Sequence, residues 1–184
     1  MRVMDASGKK KMGYSRTFDA DSSRPLKQRD VERATYSIWN EHSDRLTRKT
    51  SPGDGSDTKN ESAKNFLRRE VYALGRRLLR SKSGQELVAK LFSQLGFRTT
   101  RPQAMENVFH GLLCCIYEGE GGFTRQERSL IAKELEYAHR HNVPPELLCG
   151  FLYQSTDRRR LSARLVEGFI EPAFRRRTDG GEDA

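Results

Sequence analysis

The stretch Asn65-Phe-Leu-Arg-Arg-Glu-Val-Tyr-Ala-Leu-Gly-Arg-Arg-Leu-Leu-Arg80 decides the fold class. Leu67, Val71, Leu74 and Leu78 recur at i, i+4, i+7 and i+11, which is one side of an α-helix. At about 100° per residue, Arg69, Arg76 and Arg80 fall on the opposite side, with Arg77 on the flank. The pattern predicts a helix over about 63–81 that buries a leucine face and turns a row of guanidinium groups outward.

Downstream the same period returns behind explicit start signals. Ser83-Gly-Gln-Glu86 reads as a capping box ahead of Leu87, Val88, Leu91, Phe92 and Leu95, with Gly96 as a left-handed stop. Thr100-Arg-Pro-Gln103 is a second box, ahead of Met105, Val108, Phe109, Leu112, Leu113 and Ile116. Thr124-Arg-Gln-Glu127 is a third, leading Leu130, Ile131, Leu135 and Ala138, with Asn142 as its stop. Pro144-Pro145 restarts a short helix with Leu147, Leu148, Phe151 and Leu152. Ser155 or Thr156 caps a last helix carrying Leu161, Leu165, Val166, Phe169 and Ile170, closed by Pro172. No segment sustains the period-two alternation of a strand. The expected fold is all-α, a compact bundle of five or six short helices over 63–176. Short connections make sequential helices mostly antiparallel neighbours.

Residues 1–62 read as a long, disordered, basic tail rich in Ser, Asp, Lys, Arg and Gly. Ser51-Pro-Gly-Asp-Gly-Ser-Asp57 is a linker by composition. One island interrupts it, a short helix at 30–40 in which Val31, Ala34 and Ile38 share a face and Trp39 lies beside them. The island either docks back on the domain or engages a partner through Ile38 and Trp39. Docking is favoured, because an exposed Trp and Ile are costly without cover. Residues 177–184 are expected to be a disordered C-terminus.

Composition narrows the class of partner. The chain is 35% hydrophobic and 32% charged, with net charge +9 and pI near 9.7. That balance favours an anionic partner: nucleic acid, an acidic membrane surface or an acidic protein. Cys114, Cys115 and Cys149 are odd in number and lack framework spacing, which points to a reducing, intracellular setting. No apolar leader follows Met1, and no apolar run reaches the ~18 residues of a membrane span. Lys9–Lys11, Arg158–Arg160 and Arg175–Arg177 each read as a weak nuclear address beside a cytoplasmic expectation, as a patch contact, or as solvated charge.

The charge is concentrated. Residues 61–101 hold 10 Lys and Arg against 3 Asp and Glu, whereas residues 102–148 hold 4 against 7. Arg68, Arg69, Arg76, Arg77, Arg80 and Lys82 are therefore the candidate contacts for nucleic-acid phosphate or another anion. Arginine suits that role through its bidentate geometry. The competing reading pairs these arginines with Glu118, Glu120, Glu134 or Glu136 of neighbouring helices, or of a second copy in a homo-oligomer.

Chemistry-bearing motifs are sparse. His110 and Cys114 lie at i, i+4, but no second ligand pair accompanies them, so no metal is assigned. Glu118-Gly-Glu-Gly-Gly-Phe-Thr-Arg-Gln-Glu127 lacks the early ligands of a calcium loop and reads as a helix boundary. No nucleophile elbow, phosphate-binding loop or dinucleotide fingerprint occurs, so neither enzyme activity nor a cofactor is expected. Arg159-Arg160-Leu161-Ser162 has the form of a basophilic kinase target, with Ser162 inside a predicted helix.

From Met105 to Leu148 the chain runs as an apolar helix, a Gly-rich acidic turn, Thr-Arg-Gln-Glu-Arg-x-Leu-Ile, then Val-Pro-Pro-Glu-Leu-Leu. This rhythm is similar to that of helical tellurite-resistance TerB-like domains, which implies a helical fold and carries no site residue over. A basic tail before a compact basic helical domain also resembles small accessory proteins of RNA viruses. The function expected from these readings is a non-enzymatic basic module. It would bind nucleic-acid phosphate, RNA favoured, through the Arg-striped helix. The alternative is a protein-interaction or effector module whose helical surface and Trp39 segment engage another protein.

Overall fold

In the computed structural model, the structure describes residues 25–50, 61–96, 106–117, 123–155 and 160–174. Among these residues every regular element is helical. The order is α1 (Gln28–Thr50), α2 (Ala63–Arg80), α3 (Gly84–Gln94), α4 (Val108–Ile116), α5 (Arg125–Arg140), α6 (Leu148–Ser155) and α7 (Leu161–Glu167). Pro145–Leu147 and Pro172–Phe174 are single 3-10 turns.

The fold is organised around α2. It packs against α1, α3, α4, α5 and α6. Phe66, Leu67, Val71, Tyr72, Ala73 and Leu74 are each at most 1% exposed. A helix surrounded this way needs more than one apolar face. Beyond the leucine row, Phe66, Tyr72 and Ala73 supply the others. Tyr72 stacks on Phe109 of α4 at 5.8 Å between ring centroids. Phe109 can come that close because Gly75 has no Cβ to meet its ring.

Several start and stop signals do what their residues predict. Thr124 forms the full capping box with Glu127. Gly96 sits at φ +76°, and Asn142 is left-handed at φ 52° behind α5. Others differ. Ser83 makes no side-chain cap on α3, and its hydroxyl lies 3.3 Å from that of Ser81 instead. The helix carrying Val108 is capped by Asn107, whose side chain accepts from the His110 amide. The Thr100–Gln103 box lies outside the described residues. Ser155 ends α6 rather than starting a helix, and α7 stops at Gly168 (φ +66°), before Phe169 and Ile170. Glu171 then straps the segment to α5. It accepts from the Tyr137 hydroxyl at 2.6 Å and from Arg164 at 2.6 Å, and its amide donates to His141 Nε2 at 2.9 Å.

The island around Trp39 is far longer than a short helix at 30–40. It is α1, 23 residues, docked across α2, α3 and α4. Its inward face is Val31, Thr35, Ile38 and His42, all buried. Thr35 satisfies its hydroxyl on the Val31 carbonyl at 3.0 Å. Arg45 fixes the far end, reaching the Glu61 carbonyl at 2.8 Å and lying over the Phe66 ring.

Under α1, His42 packs with Tyr117 and Phe123. The Tyr117 hydroxyl hydrogen-bonds His42 Nδ1, while Nε2 has no partner among the described residues. Burial, then the Arg45 charge, holds the His42 imidazole down at about 4. The folded chain therefore refuses a proton that the unfolded chain accepts from pH 6.5 downward. This group's stabilisation is complete above pH 6.5 and is lost as pH falls toward about 4. His139 is depressed by burial and by Arg76 and Arg80, so it adds in the same direction. Melting temperature should fall across this window, and less steeply in a His42→Phe/Tyr117→Phe variant. A slope identical in the two proteins would show that His42 is not the group involved.

Candidate interaction surfaces

The α2 arginines do not form an outward row. Arg68 is 9% exposed and pairs with Glu134 of α5, itself 1% exposed. Arg76, at 5% exposure, donates to the Val143 carbonyl and to Asn142 Oδ1, the latter at 2.8 Å. The Tyr72 hydroxyl reaches the same Val143 carbonyl at 2.7 Å, and burial pushes that phenol up to about 12. Arg69 is half-buried. It holds both oxygens of Glu61 at 2.9 and 2.7 Å and lies 2.9 Å from Glu70. The Glu61 carboxylate raises its affinity for its proton above the usual arginine range.

Arg68, Arg69 and Arg76 thus correct the expectation of a free guanidinium stripe. A charge buried beside apolar neighbours persists only with a partner. Here the partners come from Glu61, Glu134 and the loop after α5. Arg77 is half-buried, and only Arg80 and Lys82 are exposed, at the C-terminal end of α2. Of the acidic residues weighed as partners, Glu134 takes Arg68. Glu136 instead bonds Arg140 at 2.6 Å and Asn107 at 2.8 Å. Glu118 and Glu120 lie outside the described residues.

The N-terminal candidates part company. Ile38 is 4% exposed and belongs to the core, so it cannot meet a partner while α1 is docked. Trp39, one residue on, is 42% exposed. It pairs with Tyr36, 65% exposed, at 6.1 Å and 31° between rings. Further along α1, Leu46 is 42% exposed. Helical geometry puts these three on one shoulder of α1, beside its buried face. Arg29 and Arg33 lie exposed on the outermost side. The sequence signal for this shoulder is the lone tryptophan. Leu46 falls beyond a helix ending at residue 40, and Tyr36 stands off the Val31–Ala34–Ile38 row, so neither is singled out by the apolar period.

The other large apolar side chains exposed among the described residues are Leu79, Leu147, Tyr153, Val166 and Phe174, spread over α2, the α5–α6 turn, α6, α7 and the last 3-10 turn. His110 and Cys114 sit half-buried on α4, and no group of three metal-type ligands occurs among the described residues. A shallow cleft of about 440 Å³ lies between α5 and α7, lined by Arg125, Gln126, Ser129, Leu130, Lys133 and Ser162. No described helix is long and apolar enough to cross a membrane. No protein-family model matches the chain, and neither a characterised protein nor a solved structure is significantly similar to it.

Proposed function

We propose that this bundle is a protein-interaction module that presents the Tyr36–Trp39–Leu46 shoulder of α1 to another protein. The observation that carries the reading is the two-sided character of α1. One face anchors the helix in the core, and the adjoining shoulder leaves a Trp and a Tyr in ring contact and open to solvent. Trp and Tyr bury large rigid surfaces at little entropic cost and dominate interface energetics. The pairing of Arg68, Arg69 and Arg76 within the bundle speaks for the same reading, since it removes three of the six candidate phosphate contacts.

The nucleic-acid reading continues in a narrower form on Arg77, Arg80 and Lys82. It is favoured by the exposure of Arg80 and Lys82 at one helix end and by the net charge of +9.

One experiment separates the two. Nuclease-treated binding partners are compared for wild type, a Tyr36→Ser/Trp39→Ser variant and an Arg77→Glu/Arg80→Glu/Lys82→Glu variant. The aromatic variant should keep its melting temperature within a few degrees and lose partner affinity at least about 30-fold, a hot-spot loss of ~2 kcal/mol. Unchanged capture by the aromatic variant would sink the interaction reading. Capture that disappears on nuclease treatment and in the charge variant would establish the nucleic-acid reading instead.

A further inference from the structure

We propose that Ser162 is a phosphorylation site for a basophilic protein kinase, and that its phosphate is held by Lys133 and Arg125, clamping α7 onto α5. Two independent observations meet there. In sequence, Arg159 and Arg160 precede Ser162 by three and two positions, the spacing that acidic substrate grooves of such kinases select. In the structure, Ser162 is exposed at the start of α7. It faces a cleft whose described lining includes two cations, two hydroxyls and no carboxylate. Lys133 Nζ already donates to Ser162 Oγ at 2.9 Å. Arg125 and Ser129 line the same cleft from α5.

The position suits a switch. Among the described helices α7 packs on α5, and one hydrogen bond, from Arg164 to the Ser155 carbonyl at 2.9 Å, ties it to the end of α6. Its apolar attachment within the helix is Leu161 and Leu165. It spans seven residues and ends at Gly168, so local opening of the element costs far less than global unfolding. Leu161 is buried, so the kinase reads the site in this opened form, and closure afterwards delivers the phosphate to the cleft. In the transfer, Ser162 Oγ attacks the γ-phosphorus of Mg-bound ATP. The new O–P bond forms as the bond from that phosphorus to the bridging oxygen of ADP breaks. The hydroxyl proton passes to the kinase's catalytic carboxylate, and ADP leaves. The product brings up to two negative charges and three acceptor oxygens to a site that holds Lys133 and Arg125. A neutral hydrogen bond thereby becomes a charge-assisted pair.

The test uses the full chain, the purified catalytic subunit of a cyclic-AMP-dependent kinase and Mg-ATP, with the modified residue mapped by tandem mass spectrometry. Wild type should gain one phosphate on Ser162 and Ser162→Ala none there. Arg160→Ala should react about tenfold more slowly, as expected for one lost charge-assisted contact. Phosphorylation should raise the melting temperature by about 3 °C. Lys133→Ala, still phosphorylated, should show none of that rise. Modification of a 156–166 peptide but not of Ser162 in the folded chain would overturn the site, as would failure of both. Phosphate on Ser162 with an unchanged melting temperature, or an equal rise in Lys133→Ala, would overturn the clamp.

Discussion

Glu134→Ala is expected to lower the unfolding free energy by about 3–5 kcal/mol, and Arg68→Ala by a similar amount. Both residues lie in the interior, at 1% and 9% exposure, and each is the other's counter-charge across α2 and α5. Removing either takes the buried counter-charge away from the other, and that lost compensation accounts for most of the cost. Urea denaturation should show a lower midpoint with an unchanged slope, because the surface exposed on unfolding stays the same. An Arg68→Met/Glu134→Leu double variant should recover most of the stability, since an apolar pair of similar volume needs no counter-charge. Raised salt should barely alter either single-variant loss, because buried pairs are weakly screened. A cost below about 1 kcal/mol for Glu134→Ala would place the pair in solvent, in the range of surface ion pairs. It would also return Arg68 to the pool of outward cations.

This pair also shows where sequence reading succeeds and where it stops. Period and caps locate α2, α3, α5 and α6 because those signals are local: a leucine every three or four residues, Thr124 three residues before Glu127, Gly96 at a positive φ. The orientation of the arginines is not local. Arg68 meets Glu134, 66 positions away, and Arg76 meets Val143, 67 away. A helical wheel scores arginine as polar whether it points to water or to a distant carboxylate. The wheel also assumes that a helix has one buried side, which fails for a helix with neighbours all around it. The inward face of α1 is hard to read for a related reason. Thr35 and His42 occupy core positions there, Thr35 bonded to the Val31 and Glu32 carbonyls and His42 to Tyr117. Thr35 is satisfied within its own helix and His42 by a residue 75 positions away, and both break the apolar period without breaking the packing.

Gly84→Ala is expected to cost about 3 kcal/mol, the upper range for overpacking, because the obstacle is backbone rather than a movable side chain. Gly84 is buried at the first position of α3, where the chain turns out of α2. A Cβ there would overlap the Leu78 carbonyl oxygen. That carbonyl accepts the Ser81 amide at 3.0 Å, and the Gly84 amide in turn donates to Ser81 at 3.0 Å. The methyl can be accommodated only by opening this hydrogen-bonded corner. Gly150→Ala is the control with the opposite sign. It lies exposed within α6, and a methyl group there would meet nothing within 4 Å. Alanine should therefore stabilise by roughly 0.5–1 kcal/mol through helix propensity and reduced unfolded-state freedom. Thermal melts of the two variants should move in opposite directions from wild type. The corner matters beyond stability, because α3 supports α1: Gln28 reaches Gln94 at 3.1 Å, and the two helices are in contact. A displaced α3 would tilt the helix that carries Tyr36 and Trp39. Gly84→Ala should then weaken partner binding as well as folding, while Gly150→Ala leaves binding intact. Equal melting temperatures for the two alanine variants would show that the α2–α3 corner yields freely, and unchanged partner binding by Gly84→Ala would show that α1 is positioned by α2 and α4 alone.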